Sequence, residues 1–273
     1  MVKPTTKQIS LISIFAALIA MVTRLPGIPI LGGPVQGGGE IKFSVVLYPV
    51  IGIMLGPWMG LVAAFLGNFI AWIIPPTTIF GLLTIPAGAI AAFMSGCISQ
   101  GSGKLDWRIA ASILTTLNAL WYLTPVGLEA PFYPILHFVA LAIILLFRNR
   151  ISEYLHSSLR NKIVLGTALC SYITVMADHM FGNLVWISSI GLIISLRAIR
   201  DALNMVGIIS VKLGFSVPSG SIGDIFMLAL PISAVERITY TFAATFLGVS
   251  LIRVIGWGRI STSVNTPFIE KDK

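Results

Sequence analysis

Apolar residues in this chain fall in long runs, separated by short polar stretches or by glycine and proline. A membrane-crossing helix needs about 20 residues. Eight runs qualify as spans: 8–25, 43–55, 58–74, 79–98, 109–126, 133–147, 163–190 and 225–252. The pattern predicts an all-α polytopic membrane helical bundle, a single membrane domain over residues 1–273. The seventh run exceeds what a bilayer demands, so it is expected to tilt or protrude.

The breaks carry as much information as the runs. Gly56-Pro57 ends the second span, and Pro75-Pro76 turns the chain without a charge. The longest break, Arg24 to Lys42, is rich in glycine and proline and holds Gln36, Gly38, Glu40 and Lys42. Backbone of that kind survives beside hydrocarbon only in water or against a protein-lined cavity. It is expected to close as a loop over a ligand held among the helices, with Gln36, Gly38 and Glu40 as contacts.

Composition agrees with the pattern. Charged residues make up 10% of the chain and hydrophobic ones 56%, where a soluble domain carries about 25% charged. Mean hydropathy is +0.94. The net charge of +8 is therefore no nucleic-acid signal, because Lys and Arg gather at span ends. Arg148, Arg150, Arg160 and Lys162 mark a cytoplasmic loop, which puts both termini inside and the chain in the cell membrane. The first run follows Lys3 and Lys7, lacks a small-residue cleavage pattern, and is expected to be a retained span. Cys97 and Cys170 stand alone in apolar runs and read as buried inert thiols.

Polar groups inside spans cost about 2.5–3.5 kcal/mol each when charged, and so mark sites. Asp178 and His179 open one such set; His179, Asn183 and Trp186 follow at i, i+4 and i+7, on one helix face. Imidazole, amide and indole in a row suit a small polar ring compound, or else an interhelical network. Asn68 shares a face with Gly60, Ala64 and Trp72, and reads either as a helix–helix hydrogen bond or as a ligand contact. Glu236 and Arg237 are the second charged set. Neighbours on a helix point about 100° apart, so each is expected to find its partner on another helix. The pair is either an anchor for a ligand carboxylate or a structural ion pair.

Enzyme chemistry has little support. No phosphate-binding Gly-x-x-x-x-Gly-Lys-Ser/Thr loop occurs, so the chain cannot hydrolyse ATP alone. No His-Glu-x-x-His occurs, and the three histidines are far apart in sequence; no catalytic residue, metal or cofactor is expected. Gly214-Phe-Ser216 is a weak hydrolase-like fragment in a linker. With two intramembrane carboxylates, an ion-gradient transporter stays an alternative, as does a structural subunit of a larger complex.

Ala16-x-x-x-Ala20 in the first span, the segment Leu47 to Asn68 with its Gly56-Pro57 turn, and Leu230-Pro-Ile-Ser-Ala-Val-Glu-Arg before Arg253 together resemble a known family. It is the substrate-binding (S) components of energy-coupling factor (ECF) transporters, and the likeness is best over 8–98 and 163–255. The resemblance implies a binding subunit for a small vitamin-like nutrient. Its partners would be a transmembrane coupling subunit and two ATPase subunits, with no nucleic acid involved. It also implies that Ala16 and Ala20 contact the coupling subunit, and that the loop around Gly38 and Glu40 gates the pocket. The family usually has six spans; the hairpin 109–147 is the natural surplus, since removing it keeps the parity. Its metal-importing members begin with a histidine, whereas this chain begins Met-Val-Lys-Pro, so nickel or cobalt is not expected.

Overall fold

The computed structural model describes residues 5–25, 27–29, 40–101, 105–201 except 198, 203–204, 208 and 220–255. All eight predicted runs are helical. Helix α1 (Thr6–Val22) opens with a capping box: Gln8 N–H donates to Thr5 Oγ1 at 3.3 Å, and Thr5 N–H donates to Gln8 Oε1 at 2.9 Å. Two short strands, β1 (Ile28–Pro29) and β2 (Glu40–Ile41), pair antiparallel and close the base of the glycine-rich segment. A 3₁₀ turn (Phe43–Val46) then leads into α2 (Leu47–Leu55), every residue of which is buried. A helix apolar on all sides belongs inside a bundle, and α2 is its axis.

Gly56 turns the chain at φ 77°, and Pro57 begins α3 (Pro57–Ile73) at the position where a missing N–H costs nothing. Helix α4 (Ile79–Gln100) packs across both, and glycine makes the crossing: a Cβ on Gly96 would run into the Gly56–Pro57 backbone. Next come α5 (Trp107–Tyr122), the short α6 (Pro125–Glu129), α7 (Ile135–Phe147) and the short α8 (Arg150–Leu155). Two long helices finish the described chain, α9 (Arg160–Ser189) and α10 (Ile222–Ile255). At about 1.5 Å per residue, the 30 residues of α9 exceed a bilayer core of about 30 Å.

By length and composition alone, 79–100, 160–189 and 222–254 are fit to cross a membrane; the shorter apolar helices 6–22, 43–55, 57–73 and 135–147 sit beside them. Leu146, Val235, Phe242 and Phe246 lie exposed on the outside, as lipid-facing side chains do. Cys97 and Cys170 are buried and unpaired with each other; Cys170 Sγ lies 3.4 Å from Ser95 Oγ.

Two sequence expectations need correction. The fifth span stops at Tyr122 rather than 126, because Pro125 must start a new helix and Thr124 caps it by accepting from Gly127 N–H at 3.0 Å. Ala16 is 3% exposed, because Gly67 of α3 packs on the α1 backbone there, while Ala20 is partly exposed. Glu236 and Arg237 do not reach separate helices, as the cavity geometry makes plain below. Gln36, Gly38 and the 214–216 fragment lie outside the described residues, as does most of the 197–224 linker.

Candidate functional site

One cavity of about 420 Å³ gathers the polar groups of this bundle. Its wall draws on the end of α1, the 3₁₀ turn and α2, the end of α3, the start of α4, Tyr133, α9 and α10. Six residues singled out from sequence line it together: Asn68, Asp178, His179, Asn183, Trp186 and Glu236. The helical spacing of 179, 183 and 186 brings all three to the same wall, with Gly182 between them leaving space. Glu40 sits in β2 opposite Pro29, at the base of the loop.

Several lining residues were missed. Tyr48, Trp72, Phe80, Tyr133 and Phe226 join Trp186 to make an aromatic enclosure. Phe226 meets Trp186 edge-on at 5.4 Å and Tyr133 edge-on at 5.0 Å. Aromatic walls with few polar groups are the usual build of a site for a flat organic ligand. A lone hydroxyl in an apolar run, as at Tyr48, was the available signal.

Two hydrogen-bond relays order the polar wall. Tyr48 OH donates to Asn68 Oδ1 at 3.0 Å and lies 3.2 Å from Ser44 Oγ. Asn68 therefore answers both of its readings: it bonds a neighbouring helix and faces the cavity. Opposite, Asn183 Nδ2 donates to Tyr133 OH at 3.2 Å, and that hydroxyl is 3.2 Å from His179 Nε2. The hydroxyl thus fixes two side chains of α9 from a residue in the α6–α7 connection. His179 also stacks on His137, ring centroids 5.2 Å apart, so histidines distant in sequence meet in space. No group of three or more metal-ligating side chains occurs among the described residues.

Glu236 and Arg237 line the same cavity and pair with each other, Nη2 to Oε2 at 3.6 Å. A long, flexible arginine arm overcomes the 100° between neighbouring positions. At the cavity mouth, Arg24 Nη2 donates to Pro75 O at 3.2 Å, tying α1 to the turn after α3. Trp72 Nε1 donates to Thr78 O at 3.0 Å and braces the same turn.

A family profile described as "ECF-type riboflavin transporter, S component" matches residues 3–124. The match runs through α5, half of the hairpin that the sequence reading set aside as surplus, and stops short of α9 and α10. An uncharacterized protein of Methanocaldococcus jannaschii is 35% identical over 142 residues, 52% of this chain and 46% of that one. The alignment thus spans about half the length of that curated relative. No solved structure matches the chain. Residues 3–124, then, are similar in sequence to the S components of energy-coupling factor transporters.

Proposed function

We propose that this chain captures a small vitamin-like nutrient of the riboflavin class at the outer face of the membrane. It then releases the nutrient inward when docked on a transmembrane coupling subunit driven by two ATPase subunits. The observation that supports this is the cavity, in which an aromatic enclosure surrounds Asn68, Asp178, His179, Asn183 and Glu236. Its volume falls within the range of about 300–1,000 Å³ that takes drug-sized molecules. The segment with Gln36, Gly38 and Glu40 is the lid in this reading, and Ala20 belongs to the docking side of α1.

Native mass spectrometry of gently purified protein tests the proposal. A co-purifying heteroaromatic compound, with quenching of riboflavin fluorescence on titration, is the expected result. Uptake by the chain alone, driven by a pH or sodium gradient without ATP, would instead make it a secondary transporter. Empty protein that quenches no flavin would point to a structural subunit.

Two predictions belong here. Tyr133→Phe removes the hydroxyl shared by His179 and Asn183. One such hydrogen bond is worth about 1 kcal/mol, so ligand affinity is expected to fall about 5- to 10-fold by titration, with the fold retained. The second concerns orientation. Ser157 follows α8 in the basic loop assigned to the cytoplasm. Since Cys97 and Cys170 are buried, Ser157→Cys supplies an accessible thiol. An impermeant maleimide should label it in inside-out vesicles and leave it untouched in intact cells; the reverse pattern inverts the topology.

A further inference from the structure

We infer that Arg108 and Arg148 clamp the phosphate of an anionic phospholipid where α5 begins and α7 ends. The site lies outside the cavity and stands whatever the cavity binds. It is built around Trp107. The guanidinium carbons of Arg108 and Arg148 each lie 5.5 Å from the centre of its ring, so they are at most twice that distance apart. Trp107 is half-buried, Arg148 is exposed and the Arg108 side chain is 73% exposed. An indole in this setting belongs at the headgroup level of a membrane.

Most of the guanidinium donors are open. Arg108 Nη1 donates to Asp106 Oδ2 at 3.2 Å, and Arg108 N–H donates to Asp106 Oδ1 at 2.9 Å, so the one nearby buried carboxylate is fully engaged. Arg148 Nε donates to Leu145 O at 3.0 Å and closes the end of α7. Nε and Nη2 of Arg108 and both Nη atoms of Arg148 have no partner among the described residues. Guanidinium forks of this kind match pairs of phosphate oxygens.

The backbone of Arg148 gives a second reason. It stands at φ 45° and ψ −124°, the geometry of the first central position of a type II′ turn, where glycine is the natural residue. Arginine carries a backbone cost there that glycine avoids. Ending a helix does not require it, since glycine does that well. What glycine lacks is a guanidinium to set beside Trp107.

The neighbouring surface supplies the apolar half of a lipid site. Ile135, Val139, Ala142 and Leu146 are exposed on α7 at i, i+4, i+7 and i+11, one helix face about 16 Å long at about 1.5 Å per residue. This stripe runs up to the Arg148 turn, so an acyl chain along it brings its phosphate to the two guanidiniums. Helix α8 folds back through Phe147 and Tyr154, ring centres 6.4 Å apart, and α9 packs on it at Gly166. Exposed Arg150, Arg160 and Lys162 thereby share this end with a single exposed acid of that stretch, Glu153. Such surroundings repel the ammonium of a zwitterionic headgroup and favour a net negative one.

The test offers the full chain, in dodecyl maltoside, equal amounts of dioleoyl phosphatidylglycerol and dioleoyl phosphatidylcholine, with bound lipid read by native mass spectrometry. Phosphatidylglycerol is expected to be retained about 30-fold better, a factor of about five for each guanidinium. Arg108→Gln/Arg148→Gln should abolish that preference, while Arg160→Gln/Lys162→Gln, at equally exposed positions, should keep it. Arg148→Gly separates lipid binding from packing. Its thermal unfolding without lipid should match or exceed that of the wild type, and the stabilisation the wild type gains from phosphatidylglycerol should be lost. Equal retention of the two lipids by the wild type overturns the inference, as does a preference that survives loss of both arginines. An equal loss in Arg160→Gln/Lys162→Gln also overturns it, because the attraction would then belong to a diffuse basic surface. Displacement of the lipid by inorganic phosphate would make this a soluble-anion site and overturn the lipid assignment.

Discussion

Gly52→Val and Gly96→Val are expected to yield no monodisperse protein, read by size-exclusion chromatography of detergent extracts. A Cβ at Gly52 would strike the Ala92 carbonyl and Gly96 N, and one at Gly96 would strike Pro57. Overpacking a core costs about 1–3 kcal/mol when side chains can shift. Here the opposing atoms are backbone, held by the α2–α3 turn at Gly56 and by the full burial of α2. Neither helix can retreat without opening the bundle's axis, so the cost should exceed that range. Native stability of about 5–15 kcal/mol leaves little reserve for two such crossings. Gly182→Ala is the internal control. Nothing lies within 4 Å of its Cβ position, so the variant should elute like the wild type. A monodisperse Gly96→Val protein would show that α2, α3 and α4 are not packed as described.

The same crossing explains what was readable in advance. Runs of apolar residues between Gly56-Pro57, Pro75-Pro76 and the basic loop near Arg148 mark helices, because hydrocarbon leaves the backbone no other choice. The face formed by His179, Asn183 and Trp186 was legible because i, i+4 and i+7 superimpose on any helix. Pairings between elements were not. Tyr133 stands 46 residues from His179 in sequence, and no local pattern announces that its hydroxyl bridges His179 and Asn183. His137 and His179 looked isolated for the same reason, yet stack at 5.2 Å.

Side-chain reach and partner size set the remaining limits. Backbone spacing put Glu236 and Arg237 on different faces, and a flexible guanidinium arm undid that separation. Ala16-x-x-x-Ala20 shows that α1 has a smooth stripe, but not what covers it. The answer depends on Gly67, the smallest residue available on α3, which lets α1 approach until Ala16 is enclosed. Small residues make close contact wherever their neighbour is smallest, and that is a property of the pair.

Phe226→Ala is expected to lower both the thermal stability and the ligand affinity of the protein, and the two losses can be separated. Phe226 is 6% exposed and packs edge-on against Trp121 at 5.0 Å, Tyr133 at 5.0 Å and Trp186 at 5.4 Å. It joins α10 to α5, to the α6–α7 connection and to α9, so its loss leaves a cavity where four parts of the chain meet. A buried Phe→Ala change costs about 3–5 kcal/mol. Phe226→Leu keeps apolar volume and should forfeit mainly the edge-on contacts, about 0.5–1.5 kcal/mol each. Thermal unfolding in detergent ranks the two variants without ligand. Unfolding with ligand at 100 times its dissociation constant should add about 2.7 kcal/mol to any form that still binds. If Phe226 serves only to pack the helices, Phe226→Leu should gain the same increment as the wild type. If its ring walls the ligand, the increment should shrink at equal ligand concentration. Full protection of Phe226→Ala would remove this ring from the site and leave Trp186 and Tyr133 as the aromatic wall.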